Sequence, residues 1–200
     1  TRHRGSVLPS HHSSAYHSAL RGKDGKVWAW SAKLSEEAEK DAEFVRSFCQ
    51  KLQVPCFVTK EDVPAFVLEK GLSSEEGARI VRYRLFTRLT EKVGASKVAL
   101  GHHADDQGET ILLNLLRGSG MKGLAGMRPK RGIYIRPLLG VTRAEIEQYI
   151  NYHNLPVRID SSNLEPIYTR NHIRLKLLPL LKDRYNPNLV NTLNQMAEIL

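Results

Sequence analysis

The sequence predicts an α/β fold built around a largely parallel sheet. Short apolar runs typical of strands alternate along the chain with longer segments whose apolar residues recur at helical spacing. Such alternation favours parallel β-α-β units. The chain has 200 residues, of which 41% are hydrophobic, so it can bury a core of its own. We therefore expect one α/β domain, followed by the start of a helical domain.

Each predicted element rests on a local pattern. Ser73 is followed three residues later by Glu76, the spacing of a capping box at a helix N-terminus, and Thr142 has Glu145 in the first turn of its helix. Strands are predicted at residues 27–30, 55–59, 97–100 and 133–135. Helices are predicted at residues 34–53, from Ser73 past Leu89, from Asp106 through Leu116, and from Thr142 to about His153. Two more are predicted after the run Tyr168-Thr169-Arg170-Asn171, one that ends near Lys182 and one from Asn186 through Leu200.

The densest polar chemistry falls where a predicted strand meets a helix, in the run GHHADDQGET. In an open α/β sheet, ligands bind at such junctions. Asp106 and Glu109 are three residues apart and would share one helical face. This pair suits Mg²⁺, which takes one or two carboxylates together with water and substrate phosphates. Helix capping is the alternative, but it leaves Asp105 and the two histidines without a role, so we favour a binding site.

Positive charge is concentrated directly after this run. The formal net charge is +9, and no acidic residue lies between Glu109 and Glu145. The basic residues of that window are Arg117, Lys122, Arg128, Lys130, Arg131, Arg136 and Arg143. A stretch of one sign is typical of a surface that binds a polyanion, since Lys and Arg contacts to phosphates supply most non-specific affinity for nucleic acid. A solvated loop with a chance excess of charge is the alternative, and we favour nucleic acid.

Two cysteines and the hydropathy pattern bear on the compartment. Cys49 and Cys56 form neither a CxxC motif nor a disulfide framework, and no stretch approaches the roughly 20 apolar residues of a membrane span. The N-terminus has no secretory apolar region. We therefore expect a soluble chain in the reducing cytoplasm, without membrane contact.

Four segments together carry a resemblance to a known family. They are HHADDQGET, RGSGMKGLAGM, IRPLLGVTRAEIEQY and DSSNLEPIYTRNHIRLKLLPLL. In this order they resemble the tRNA(Ile)-lysidine synthetase family of PP-loop ATP pyrophosphatases, over about residues 34–200. The resemblance implies a Rossmann-like PP-loop domain of the adenine-nucleotide alpha-hydrolase type. It also implies an ATP-dependent ligase: ATP would adenylate C2 of the wobble cytidine of tRNA(Ile), and free L-lysine would displace AMP to form lysidine.

The resemblance also implies roles for individual residues. The implied catalytic residues are Asp106, Glu109, Arg170 and, more weakly supported, Arg82, with Asp106 and Glu109 also holding Mg²⁺. The residues implied to contact ATP are His102, His103 and Asp105, although the histidines would serve equally well to fix the strand end. The residues expected to contact tRNA are Arg117, Lys122, Arg128, Lys130 and Arg131, a set that follows from the basic window.

One expected motif of that family does not occur in these 200 residues. A PP-loop enzyme carries Ser-Gly-Gly-x-Asp-Ser after its first strand, where backbone amides and hydroxyls cradle pyrophosphate at a helix N-terminus. Residues 1–33 contain no such loop. We expect them to form an unmatched segment, disordered or non-native, with residues 34–184 as the incomplete PP-loop domain and residues 185–200 as the start of a helical tRNA-binding domain. A fragment, a misjoined reading frame and a degenerate copy each explain this pattern, and each puts catalytic competence in doubt.

Two other functions stay open. A PP-loop tRNA sulfurtransferase would share the fold and the ATP chemistry, but it usually needs cysteine pairs for sulfur handling. A non-catalytic RNA-binding remnant would keep the basic window without the phosphate loop. A homodimer is a further possibility that the sequence leaves open.

Overall fold

The computed structural model of the chain describes residues 16–22, 27–33, 36–157 and 169–200. The strands of its six-stranded sheet are β1 (Tyr16–Gly22), β2 (Val27–Lys33), β3 (Cys56–Lys60), β4 (Ala95–Leu100), β5 (Lys130–Arg131) and β6 (Tyr134–Ile135). Their order across the sheet is β3-β2-β1-β4-β6-β5.

The parallel β-α-β arrangement is confirmed in two places. β2 runs parallel to β3, with Ala29 opposite Cys56, and β4 runs parallel to β6, with Val98 opposite Tyr134. β2, β3, β4 and β6 therefore point the same way, and their carboxyl ends share one edge of the sheet. This is the edge at which ligands bind in open α/β sheets.

The central strand β1 is the unexpected part of the sheet. It pairs antiparallel with both β2 and β4, with Ser18 opposite Leu100 and Gly22 opposite Ala95. The beginning of β1, rather than its end, therefore lies at the carboxyl edge. No strand is predicted here from the sequence, since residues 1–33 are expected to be an unmatched segment outside the run 27–30. The predicted domain boundaries at residues 33 and 184 stay predictions.

Helices cover the sheet and continue beyond it. They are α1 (Glu36–Lys51), α2 (Val63–Lys70), α3 (Ser74–Val93), α4 (Ala104–Leu116), α5 (Met121–Leu124), α6 (Arg143–Tyr152), α7 (Thr169–His172), α8 (Leu178–Arg184) and α9 (Leu189–Ile199). A five-residue π-helix, Ile173–Leu177, joins α7 to α8 without a break. The predicted helices are present within a few residues of their expected bounds, whereas α2, α5 and the π-helix were not foreseen.

The predicted N-terminal caps form. The Ser73 hydroxyl accepts a hydrogen bond from the Glu76 amide at 3.2 Å, which starts α3. The Thr142 amide donates to the Glu145 carboxylate at 2.7 Å, the reciprocal half of a capping box that starts α6. These bonds satisfy amide groups that have no partner inside the helix, which is why the two helices begin there.

Two apolar clusters make up the core. The first packs α3 against the sheet around Phe86 and Val98, both fully buried. The second joins α4 to the C-terminal helices through Leu112, Ile173 and Val190. Because α4 follows β4 directly and also packs on the second cluster, it links the sheet to the helices that follow.

Some predictions fall outside the described residues. Residues 1–15 and the polar stretch 160–163 belong to this group, so the structure does not bear on them. Among the helices that are described, none combines the length and the apolar character that a membrane span requires.

Candidate functional site

The site is built on the first turns of α4, directly after β4 ends at the carboxyl edge of the sheet. Glu109 is 1% exposed and Asp106 is 9% exposed. Ionised carboxylates are rarely buried to this degree unless they are paired. The partners of these two side chains therefore decide what the site can do.

Those partners are two arginines from the C-terminal helical run. The Arg174 guanidinium donates to both oxygens of Glu109, from Nε to Oε1 at 2.6 Å and from Nη2 to Oε2 at 2.9 Å. Arg174 Nη2 also donates to Asp106 Oδ1 at 2.9 Å, and Arg170 Nε donates to Glu109 Oε2 at 3.0 Å. Two negative and two positive side chains thus form a neutral, mostly buried cluster. We call Asp106, Glu109, Arg170 and Arg174 the carboxylate–arginine cluster.

Arg170 and Arg174 contribute differently. Arg170 also points Nη2 at the Asp106 carbonyl at 3.4 Å and at the Thr110 hydroxyl at 3.3 Å, so it holds the first turn of α4. Burial lowers the pKa of Arg174, but the hydrogen bonds and charge of Glu109 outweigh burial and raise that pKa above its ordinary value. Arg174 is therefore a permanent cation and a bidentate partner of Glu109.

Arg170 is among the residues predicted from the sequence, whereas Arg174 is not. Arginines four residues apart lie on one face of a helix, as do carboxylates three residues apart. The signal for the second arginine is its spacing. Arg170 and Arg174 can lie on one helical face, as Asp106 and Glu109 do, so the two pairs can face each other.

The donor set does not fit a Mg²⁺ ion held by Asp106 and Glu109. Both oxygens of Glu109 and one of Asp106 accept from guanidinium groups, and Asp106 Oδ2 accepts from the His103 amide at 3.0 Å. Within the described ranges, no three His, Cys, Asp or Glu side chains gather in a way that would hold a metal ion. The bond to the His103 amide also shows that Asp106 caps α4, the alternative considered for it, while it pairs with Arg174.

Asp105 and His103 lie beside the cluster. Asp105 Oδ2 accepts from the amide of Arg143 at 2.7 Å, which ties the start of α4 to the start of α6. The His103 ring lies with Nε2 3.5 Å from Asp106 Oδ2 and Nδ1 3.8 Å from Asp105 Oδ2. These contacts fix the strand-to-helix junction. The predicted contact of His103 and Asp105 with ATP stays a prediction.

Charged side chains of both signs act on His102. Burial is the main cause that lowers its pKa to about 4; Asp106 opposes the shift, and Arg136, Arg170 and Arg82 add to it. Arg82 of α3 therefore lies near His102. His102 is neutral at pH 7, and its Nδ1 atom is buried without a hydrogen-bond partner.

The five residues predicted to contact tRNA are exposed and belong to one stretch, residues 117–131, which we call the basic segment. Arg117 ends α4, Lys122 lies on α5, and Lys130 and Arg131 form β5. The Arg136 Nη1 atom donates a hydrogen bond to the Arg128 carbonyl at 2.7 Å. Five exposed basic side chains thus follow the helix that carries the buried carboxylates.

Asp105 also lines a cavity of about 320 Å³. Its charged lining residues are Asp105, Arg143, Glu147 and Lys182, and Thr142, Asn188 and Asn191 add polar groups. Its size is at the lower end of the range for small-molecule pockets. Groups of both signs make it suitable for a ligand that is itself zwitterionic.

The sheet order, with a polar site at the carboxyl edge, defines a Rossmann-like α/β domain. The chain belongs to the PP-loop domain family, which matches residues 26–181 and whose members use ATP. The solved structure of the U34-tRNA thiolase NcsA from Methanococcus maripaludis with its [4Fe-4S] cluster has the same fold, with a TM-score of 0.68 and 13% sequence identity over 86% of this chain and 61% of that one.

Curated relatives are more similar in sequence. The tRNA(Ile)-lysidine synthase of Caldanaerobacter subterraneus subsp. tengcongensis is 46% identical over 82% of this chain and 35% of its own length. The enzymes of the same name from Geobacillus kaustophilus and Clostridioides difficile are 47% and 43% identical, over 82% and 89% of this chain and 36% and 40% of their own lengths. The chain therefore spans 35 to 40% of the length of these relatives.

Replacing Glu109 tests the carboxylate–arginine cluster. Glu109→Gln removes a buried charge and leaves two guanidinium groups without their main partner, so we expect the free energy of unfolding to fall by about 3–5 kcal/mol. The matched control is Glu147→Gln, which breaks an exposed pair with Arg143 and should change that free energy by less than about 1 kcal/mol. Urea unfolding followed by circular dichroism measures both. Equal effects of the two substitutions would contradict the described cluster.

The lowered pKa of His102 predicts a pH dependence of stability. An unfolded histidine takes up its proton near pH 6.5 and folded His102 only near pH 4, so between these values the unfolded state binds more protons. Stability should therefore fall as pH drops from about 6.5 to about 4, and it should fall less steeply in His102→Gln. Urea unfolding across this range compares the two chains. A proton NMR titration that placed His102 near pH 6.5 would contradict the prediction.

Proposed function

We propose that this chain is the ATP-using part of a tRNA(Ile)-lysidine-forming ligase. In this reaction the C2 oxygen of the wobble cytidine attacks the α-phosphorus of ATP and pyrophosphate leaves. The amine of free L-lysine then attacks C2, and AMP leaves with the former C2 oxygen. The proposed partners are therefore ATP, tRNA(Ile) and lysine.

The observation that carries this proposal is the meeting of two distant motifs in one buried cluster. Asp106 and Glu109 come from the run after β4, and Arg170 comes from the TRN segment about sixty residues later, yet Arg170 Nε and Glu109 Oε2 are 3.0 Å apart. Fixed charges that need no reorganisation during the reaction are an effective way to stabilise a transition state. The family model matches residues 26–181, which include both motifs, and relatives that carry the lysidine synthase name match 82 to 89% of the chain.

The basic segment supports tRNA as the polyanionic substrate. Its residues are exposed, and no acidic residue interrupts the sequence from Thr110 to Ala144. Phosphate contacts of this kind position a nucleic acid without reading its sequence. We therefore assign tRNA docking, rather than recognition of the wobble base, to Arg117, Lys122, Arg128, Lys130 and Arg131.

The cavity beside Asp105 supports lysine as the second substrate. Lys182 suits the carboxylate of an amino acid and Asp105 suits an ammonium group, while Arg143 and Glu147 pair with each other at 2.8 Å on the wall of the cavity. Asp105 is also the residue next to Asp106 of the cluster, so a ligand in the cavity lies close to the proposed reaction centre. Arg82, whose charge acts on His102, is proposed as a further catalytic residue, and His102 and His103 are proposed to face the nucleotide.

Three parts of the proposal go beyond contacts in the site. Mg²⁺ is proposed to accompany ATP, but no step is assigned to a metal on Asp106 and Glu109, because guanidinium groups occupy their oxygens. A cytoplasmic location follows from the proposed tRNA substrate. A homodimer is proposed only as the assembly state to examine.

The two alternative functions make different predictions. A sulfurtransferase needs reactive thiols. Cys49 is buried. The pKa of Cys56 is raised to about 11, mainly because the thiol is partly buried and to a smaller extent because Cys49 lies beside it. An RNA-binding remnant would bind tRNA without turning over ATP. Lysine-dependent release of AMP separates the ligase from both.

Incorporation of radiolabelled lysine into unmodified tRNA(Ile), with ATP and Mg²⁺, tests the proposed function. We expect incorporation by the chain, and a loss of at least about 100-fold in Asp106→Asn, which keeps the shape of the side chain but removes its charge. Asp183→Ala, on the exposed surface of α8, should retain it. Binding of tRNA without incorporation would identify an RNA-binding remnant instead, and release of AMP without lysine would contradict the ligase.

A further inference from the structure

One buried polar side chain of α4 takes no part in the carboxylate–arginine cluster. Gln107 is 4% exposed. Its Oε1 atom accepts a hydrogen bond from the Met127 amide at 2.7 Å, and its Nε2 atom donates to the Met127 carbonyl at 3.0 Å. Both ends of the side chain thus hold one residue, twenty positions away, in the basic segment.

The neighbouring backbone is shaped around this amide. The backbone φ angle of Gly126 is +61°, a conformation that residues other than glycine rarely adopt. A Cβ atom at Gly126 would lie 2.6 Å from Gln107 Oε1, and so it could not coexist with the amide in its present position. Only glycine therefore allows the basic segment to approach Gln107 this closely.

A second residue of α4 holds the same segment. Asn114 Nδ2 donates to the Gly123 carbonyl at 2.7 Å. Gln107 and Asn114 are seven residues apart, so they lie two turns apart on the same face of the helix. One face of α4 thus fixes the basic segment, while Asp106 and Glu109, on either side of Gln107 in sequence, bind the two arginines.

We propose that Gln107 is a positioning residue that holds the basic segment at a fixed place relative to the carboxylate–arginine cluster. The proposal rests on the proposed function, because it makes Gln107 set where bound RNA lies. The basic residues that follow Met127 in the sequence are Arg128, Lys130 and Arg131. Gln107 itself does not touch RNA and acts through the backbone of Met127.

The first experiment measures affinity for an unmodified tRNA(Ile) anticodon stem-loop over a range of salt concentrations. We expect Gln107→Ala to weaken binding about tenfold at low salt and to reduce the salt slope by about 2, the value for losing roughly two phosphate contacts. Gln148→Ala, an exposed glutamine on α6, is the matched control and should leave both quantities unchanged. Unfolding midpoints confirm that each variant is folded.

A second experiment separates positioning from a general loss of stability. Gly126→Ala should weaken RNA binding on its own, because the added methyl group displaces the Gln107 amide. In the Gln107→Ala background the clash with the amide is gone and only the strain of an alanine at φ of +61° remains, so Gly126→Ala should have less further effect than it has alone. Hydrogen exchange at the Met127 amide should speed up in both single variants.

The outcomes are distinct. If the unaltered chain binds no RNA, both the proposed function and this inference are overturned. If the chain binds RNA and Gln107→Ala binds equally well, or if the effects of Gly126→Ala and Gln107→Ala simply multiply, only the positioning role of Gln107 is overturned. Weaker binding in each single variant, without a multiplied loss in the double variant, supports it.

Discussion

The bidentate pairing of Arg174 with Glu109 is the interaction on which the rest of the site depends. Glu109 is 1% exposed, and both of its oxygens accept from a guanidinium group that also reaches Asp106. Loss of the partner would leave an uncompensated buried charge and would strongly destabilise the folded state. Since the arginine comes from the π-helix and the carboxylate from α4, the pair ties the helical run that follows residue 168 to the end of the sheet.

The rest of the site follows from where this pair fixes α4. With its first turn held by Arg170 and its apolar side packed on Ile173 and Val190, α4 presents Gln107 to the basic segment and brings Asp105 to the start of α6. Groups from separate parts of the sequence therefore meet at one place and hold one another by direct hydrogen bonds. That preorganisation suits a reaction in which charge develops on phosphate and base oxygens.

Sequence patterns predicted the features that depend on local order. Ser73 and Thr142 carry the caps of α3 and α6, and Asp106 with Glu109 pointed to the candidate site, because capping and helical spacing are properties of neighbouring residues. The direction of β1 and the part played by Arg174 depend on pairing between distant residues. A strand in the middle of a sheet can pair in either direction, and nothing in the sequence of Tyr16–Gly22 decides between them. An arginine on a helix face is most often solvated, so the sequence alone does not show that Arg174 is paired with a buried carboxylate.

A double-mutant cycle on Glu109 and Arg174 tests the central claim most directly. The free energy of unfolding is measured for the unaltered chain, Glu109→Gln, Arg174→Met and the double variant. If the pair holds α4 to the π-helix, the double variant should lose less stability than the sum of the two single losses, with a coupling of at least about 2 kcal/mol. Single effects that add to within about 0.5 kcal/mol would show that the two side chains act independently and would contradict the account.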